Sequence, residues 1–154
     1  MPLLKFSGSE LAPALEEPIQ EVALDDWRDN PQAHAEATAL IASNDARLED
    51  VAGDLSGFSV IILEFPTFKD GRAYSQARLL RERFGFAGEI RARGEVLRDQ
   101  IMFMARCGFT AFEFAGEDTI GATAALAEFT FAYQTAADRI EPVWRRRLDR
   151  AAAA

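Results

Sequence analysis

The segment SVIILEF, residues 59–65, is the sequence feature that most restricts the fold of this chain. It is an almost unbroken apolar run in which β-branched residues are frequent. Such a run is typical of a β-strand that is buried on both faces, as strands of a parallel sheet are. Three further segments with strand character alternate with helical patterns of about ten residues. The four predicted strands are residues 38–43, 59–65, 89–93 and 110–114.

The segments between these strands have the apolar periodicity of amphipathic helices. Strands that alternate with helices form right-handed βαβ units and a parallel sheet. We therefore predict an α/β fold with about four βα units, arranged as a half-barrel or as a small doubly wound sheet. A half-barrel leaves sheet edges open, which a homodimer or an added segment would cover. The predicted helices are residues 44–55, 73–84, 95–107 and 119–134.

The first part of the chain lacks this alternation. We predict that residues 1–35 form an irregular, acidic N-terminal arm and that residues 36–154 form a single α/β domain. Within the arm, residues 18–24 (PIQEVAL) have the character of a short strand. The Asp, Asn and Pro residues of DDWRDNPQ, residues 25–32, indicate a turn.

Charge is distributed unevenly along the 154 residues, whose formal net charge is −8. Residues 1–57 hold 12 acidic and three basic residues, whereas residues 58–114 hold nine basic and seven acidic residues. This pattern argues against general nucleic-acid binding. It fits a local anion site or a surface for a partner, and it equally fits acids that keep the chain in solution and arginines on solvated helix faces.

Cysteine content and hydropathy exclude several classes of protein. The single cysteine, Cys107, excludes an internal disulfide. It also excludes an iron–sulfur cluster held by this chain alone, which takes about four ligands. No window approaches about 18 consecutive apolar residues, and the start of the chain is a poor signal peptide, so we predict no membrane span and expect a cytoplasmic location. Dinucleotide, Walker and zinc-protease motifs are absent, and the sequence assigns neither a cofactor nor a metal.

In parallel α/β sheets, ligands bind beyond the carboxyl ends of the strands. This rule selects residues 66–72, 94–99 and 115–121 of the predicted loops. Lys69 and Arg72, together with free N–H groups at the start of a helix, would favour a phosphate, sulfate, sulfite or carboxylate.

The strand EIRAR contains a second cluster of positive charge. Arg91 and Arg93 share one face of this strand, which is typical of an edge strand, a polar barrel interior or a ligand surface. We expect Arg72 to point towards Arg91 or Arg93 and form a small positive pocket, and Arg78 and Arg81 to lie on the surface. The predicted substrate-binding residues are Arg72, Arg91, Arg93, Tyr74, Ser75 and Gln76, and the candidate acid–base residues are Asp70, which should also cap the helix, and Asp99.

Three motifs in the middle of the chain form a recognisable pattern. F-P-x-F-x-D-G-R-x-Y-S-Q-A-R-x-L-R begins at Phe65, G-E-L/I-R-A-x-G-x-V-x-x-D-Q begins at Gly88, and R-C-G-F-x-x-F-E begins at Arg106. Through these motifs the chain resembles the bacterial domain-of-unknown-function family 934 (DUF934). The resemblance covers roughly residues 38–138.

The resemblance implies a biological context more than an activity, because members of the family have no established one. They are commonly encoded beside sulfite reductase and other genes of assimilatory sulfate reduction, and some are labelled, without proof, as oxidoreductases of sulfite reduction. We therefore expect an accessory or oxidoreductase-associated protein of assimilatory sulfate and sulfite reduction, with sulfite reductase or another sulfur-assimilation protein as its partner. The alternative is a small enzyme of lyase or isomerase type that acts on an anionic substrate.

Overall fold

The computed structural model describes residues 2–7, 10–114, 119–124, 133–137 and 142–145. These residues form a mixed α/β fold around one seven-stranded sheet in which most neighbouring strands are parallel. The strands are β1 (Leu3–Ser7), β2 (Glu10–Ala14), β3 (Glu21–Ala23), β4 (Ala39–Ala42), β5 (Val60–Phe65), β6 (Glu89–Gly94) and β7 (Ala111–Glu113).

The strand order across the sheet is β2-β1-β7-β6-β5-β4-β3. The five strands β3 to β7 follow the order of the chain, and the four pairs that they form with one another are parallel. The four strands predicted from the sequence are confirmed as β4 to β7, and the predicted strand character of residues 18–24 is confirmed by β3. Because right-handed crossovers between consecutive neighbours all lie on one side of a sheet, this order directs the helices to one face.

The first 35 residues are more regular than predicted, because they supply β1, β2 and β3 to the same sheet. β1 pairs antiparallel with both β2 and β7, so the sheet is partly antiparallel and not wholly parallel as expected. The sequence gives little sign of β1 and β2, because neither LLKFS nor ELAPA alternates regularly between apolar and polar residues. They cover the edge of β7 that a sheet of parallel strands alone would leave open.

Helices are shorter than the apolar periodicity predicts. In place of the helix predicted at residues 44–55 the chain forms two 3-10 turns, Leu48–Val51 and Leu55–Gly57. The turn predicted at residues 25–32 is replaced by an α-helix, Leu24–Asp29, and a 3-10 turn, Pro31–His34. The helix predicted at residues 73–84 ends in a π-helical turn, Leu79–Arg83. The last predicted helix, residues 119–134, is helical at residues 119–124 and has bends at residues 133 and 134. Residues 125–132 lie outside the described residues. The α-helices are α1 (Leu24–Asp29), α2 (Arg72–Arg78), α3 (Ile101–Cys107) and α4 (Thr119–Ala124).

The two faces of the sheet have different chemistry. On one face, side chains such as Leu63 and Ala92 are fully buried in the main core, which also contains apolar residues of α2 and α3. The opposite face carries Arg91 and Arg93, and we call it the arginine face. It has only a small apolar cluster, formed by Ala39, Val60 and Ile62 with Ile19 and Ile41 packed against them.

The link between β2 and β3 requires the sheet to be curved. These strands lie at opposite edges of the sheet, six strand spacings apart, which is about 29 Å in a sheet without curvature. The chain from Ala14 to Glu21 advances seven residues and spans at most about 25 Å. The sheet is therefore concave on the arginine face, and residues 15–20, which we call the strap, cross that face with Ile19 packed on it.

Arg81 donates hydrogen bonds to three backbone carbonyl groups in the segments that precede β6 and β7. We had expected this side chain to lie on the surface. Its Nε donates to the carbonyl of Gly108 at 3.0 Å. One terminal nitrogen donates to the carbonyls of Phe86 at 2.7 Å and Gly88 at 2.8 Å. Because the guanidinium is half-buried, its pKa is lowered. The prediction for Arg81 was wrong because helical periodicity does not show that the ends of β6 and α3 meet this side of the helix.

We expect Arg81→Met to destabilise the protein, because it leaves three carbonyl groups without their donor while keeping much of the apolar stem. The expected loss in the free energy of unfolding is roughly 2–4 kcal/mol, measured by urea denaturation. Arg83→Met, which changes an exposed arginine in the same turn, is the matched control and should change stability by less than about 0.5 kcal/mol. Equal stability of the two variants would contradict the structural role of Arg81.

Candidate functional site

A cavity of about 220 Å³ lies where the carboxyl ends of β4, β5 and β6 meet. This is the position at which parallel α/β sheets bind ligands. Gly94 forms part of its wall with a φ of 108°, and a side chain there would place Cβ 2.3 Å from the carbonyl oxygen of Phe65. Only glycine fits this position without a shift of the backbone. We call this space the edge cavity; its lining includes Ser43, Asn44, Glu64, Pro66, Arg93 and Gly94.

Asp70 organises the loop that follows β5. Its carboxylate accepts hydrogen bonds from Arg72 Nε at 3.0 Å, from a terminal nitrogen of Arg72 at 2.7 Å and from the backbone N–H of Arg72 at 3.2 Å. The side-chain amide of Asn44 donates to the same carboxylate at 2.6 Å. These donors, Arg72 first, lower the pKa of Asp70 to about 2. A carboxylate with this pKa stays ionised at neutral pH and is poorly suited to proton transfer there.

Arg72 therefore has a partner within its own loop. Its described hydrogen bonds go to Asp70, rather than towards the strand end that carries Arg93. More than half of the Arg72 side chain, 58%, is exposed. An anion at this position would have to compete with Asp70 for the guanidinium. The anion site predicted from the sequence therefore stays a prediction.

Arg91 and Arg93 are likewise matched by carboxylates on the arginine face. Arg91 is 3% exposed and lies 2.7 Å from Glu89 and 3.5 Å from Glu113. Arg93 binds Glu113 through two hydrogen bonds of 2.7 and 2.8 Å. It also binds Glu21 of β3 through two more, of 2.9 and 2.6 Å. These bonds raise the pKa of Arg93, and Arg93 in turn lowers the pKa of Glu21.

A second cavity, of about 400 Å³, lies between the strap and these ion pairs. Glu16, Glu17, Pro18 and Ile19 of the strap line one side of it. The two arginines of the lining face four glutamates, so the described lining carries more negative than positive charge. This balance does not favour an anionic ligand.

Two other predicted substrate-binding residues, Gln76 and Tyr74, fix the position of α2. The side-chain amide of Gln76 donates to the carbonyls of Ser43 at 2.8 Å and Ala46 at 3.0 Å, which ties α2 to the segment after β4. The Tyr74 ring packs edge-on against Phe65, with 5.4 Å between the ring centroids. Burial raises the pKa of Tyr74 to about 12. Ser75 is exposed, and no described contact brings it to the edge cavity.

Phe68 is the least expected feature of the carboxyl edge. Its side chain is 42% exposed, yet both of its backbone polar groups are held by side chains. Its N–H donates to Glu95 at 3.0 Å, and its carbonyl accepts a hydrogen bond of 2.7 Å from the amide of Gln100. The neighbouring candidate Asp99 is exposed. An exposed aromatic side chain on a fixed backbone can enter a protein interface with little loss of conformational entropy.

Sequence reasoning missed Glu64 and Asn44 in the edge cavity and Gln100 beside it. The sequence does indicate a special position for Glu64, because it is the single charged residue of the run SVIILEF and lies at the carboxyl end of the strand. Nothing in the sequence indicates the positions of Asn44 and Gln100, because they depend on how the loops fold. The third predicted loop, residues 115–121, lies largely outside the described residues.

Titration of Asp70 tests the loop geometry directly. A carboxylate with a lowered pKa adds stability that is complete above its usual value of about 3.8 and is lost as the pH falls through about 2. We expect a carboxyl ¹³C NMR midpoint for Asp70 near pH 2, and a midpoint closer to 3.8 in Arg72→Met. Arg78→Met, which removes a surface partner of Glu82 on the same helix, should leave it unchanged. A wild-type midpoint near 3.8 would contradict the bidentate contact.

Comparison with models of known protein families matches residues 39–144 to the family described as bacterial protein of unknown function (DUF934). The matched range covers more than half of the chain, and it includes the edge cavity and both arginines of the arginine face. No curated protein and no solved structure matches the chain. Among the described residues, no helix has the length and apolar character needed to cross a membrane.

Proposed function

The chain belongs to the DUF934 family of bacterial proteins of unknown function, and we propose that it is an accessory protein of assimilatory sulfite reduction that acts by binding a protein partner. On this proposal it has no redox chemistry of its own, and its partner is sulfite reductase or another sulfur-assimilation protein. The link to sulfite reduction rests on the family resemblance. The mode of action rests on the carboxyl edge of the sheet.

The observation that carries the proposal is the exposed, fixed Phe68. Because its backbone is already held by Glu95 and Gln100, little conformational freedom remains to be lost when a partner covers the ring. Leu97 and Phe103, 38% and 62% exposed, come from the segments on either side of Gln100. Exposed apolar side chains of this kind form the centres of protein interfaces, and we propose that all three belong to the partner surface.

The ion pairs of the arginines favour a protein that binds a partner over an enzyme that acts on an anionic substrate. Arg72, Arg91 and Arg93 are each paired with carboxylates of this chain. Their positive charge is used to hold loops and strands together, rather than kept available for a substrate. We interpret the arginine-rich middle of the sequence as a structural framework, and the net charge of −8 as favouring a basic partner.

We further propose that the curved sheet is a half-barrel, since no reversal of strand order occurs among the five parallel strands β3 to β7. A doubly wound sheet has such a reversal, and it places its ligand there. The alternative function, a lyase or isomerase of an anionic substrate, draws its support from the edge cavity. It would need an acid–base group with a pKa nearer neutrality than that of Asp70.

Binding of purified sulfite reductase to the purified chain tests the proposal. We expect Phe68→Ala to weaken this binding at least tenfold, about 1.4 kcal/mol, because an aromatic anchor is removed. Leu15→Ala is the matched control, since Leu15 is 90% exposed but lies in the strap. Binding should be measured by calorimetry at micromolar concentrations and several salt concentrations.

Growth of a deletion strain provides the complementary test. We expect slow growth on sulfate and normal growth on cysteine, with the wild-type gene restoring growth and Phe68→Ala restoring it poorly. The link to sulfite reduction fails if sulfite reductase does not bind and the deletion strain grows normally on sulfate. If the strap variant Leu15→Ala loses binding and Phe68→Ala keeps it, the partner surface lies elsewhere.

A further inference from the structure

The edge cavity has an unequal supply of hydrogen-bond donors and acceptors. The Nε and both terminal nitrogens of Arg93 are bonded to Glu113 and Glu21. The side-chain amide of Asn44 donates to Asp70, and the hydroxyl of Ser43 donates to Asp45 at 2.7 Å. Each side-chain donor group of the described lining is thus already directed at a carboxylate of the chain.

The acceptors of the same cavity are not used in this way. Glu64 is half-buried and lies opposite Arg93 in the register of β5 and β6. Its carboxylate makes no hydrogen bond or ion pair with any residue that the structure describes, because Arg93 turns to Glu113 and Glu21 instead. The amide oxygen of Asn44 also has no partner among the described residues. Neither of these oxygens is among the fully buried polar atoms without a partner, so both are open to a molecule that enters the cavity.

We propose that the edge cavity binds an organic cation, a guanidinium or primary ammonium group, with Glu64 as its counter-ion and the amide oxygen of Asn44 as a second acceptor. A guanidinium group offers several donors in one plane and pairs with a carboxylate through two hydrogen bonds. A space of about 220 Å³ corresponds to about seven water molecules in the liquid. It therefore has room for the end of an arginine or lysine side chain.

This inference deepens the proposed function and rests on it only for the source of the cation, which is a basic side chain of the protein partner. Pro66 lies in the wall of the cavity and Phe68 follows it in the same loop. One loop thus contributes to an acidic cavity and to an apolar anchor. A partner segment with a basic residue beside an apolar surface complements both, and the negative net charge of the chain attracts such a segment over a distance.

The first experiment uses the isolated chain and needs no partner. n-Butylguanidinium chloride is titrated into ¹⁵N-labelled protein, and the amide resonances of residues 64 and 94 are followed by NMR. We expect saturable shifts, with binding at least tenfold weaker in Glu64→Gln and unchanged in Glu49→Gln, an exposed glutamate in the turn Leu48–Val51. The neutral analogue n-butylurea should give no saturable shift.

Several outcomes of this titration would overturn the inference. Equal binding of butylurea would show that the positive charge of the ligand plays no part in binding. Unchanged binding in Glu64→Gln would place the cation elsewhere. Saturable shifts of the same amides with sodium sulfate and none with butylguanidinium would show an anion site, which is the opposite charge preference.

The second experiment separates this inference from the proposed function. Binding of the partner is measured with Glu64→Gln, Phe68→Ala and Glu49→Gln. A tenfold loss in both of the first two variants supports the basic side chain as the occupant. If only Phe68→Ala weakens binding, the proposed function stands and the cation does not come from the partner, so the inference fails.

Discussion

Arg93 holds together distant strands of the arginine face, and the arrangement of the carboxyl edge depends on it. From β6 it reaches Glu113 on the neighbouring β7 and Glu21 on β3, which lies beyond β5 and β4. A contact over that separation is favoured when the sheet curves towards the arginine face, and the short strap independently requires the same curvature. The curvature in turn brings the ends of β4, β5 and β6 around the edge cavity.

The same pairing determines the charge preference of the site. Burying an arginine without a counter-ion costs several kcal/mol, so the charged face of the sheet has to supply carboxylates. Glu113, only 8% exposed, serves both arginines, and Glu21 completes the shell of Arg93. The arginines that made the sequence look suited to anions are thereby neutralised, and in the described lining of the edge cavity Glu64 is the charged side chain that no described residue pairs with. A site that appears basic from its sequence becomes one that accepts cations, because pairing depends on register and curvature.

Much of the fold could be predicted from the sequence, whereas the site could be predicted only in position. The run SVIILEF specifies a parallel strand because a strand buried on both faces needs apolar residues at nearly every position. The alternation of its three companions with helical segments extends the prediction to a parallel sheet. The carboxyl-edge rule then located the loop that carries Asp70 and Phe68. The partners of Arg72, Arg81 and Arg93 could not be predicted, since each contact joins segments that only the folded chain brings together. Glu64 differs from these residues, because a charged residue at the end of the apolar run SVIILEF is visible in the sequence alone.

The segment matched by the family begins at Ala39, and what precedes it explains why the arm is not separate from the sheet. The matched strands β4 to β7 have two open edges, and β3 pairs with β4 while β1 pairs with β7. The preceding residues therefore cover both edges and also supply Glu21 to Arg93. Without them, two nitrogens of Arg93 would lose a carboxylate, and Glu64 lies opposite Arg93 in the register of β5 and β6. β3 thus directs Arg93 towards Glu21, so the N-terminal part of the chain shapes a cavity whose described lining lies wholly within the family segment.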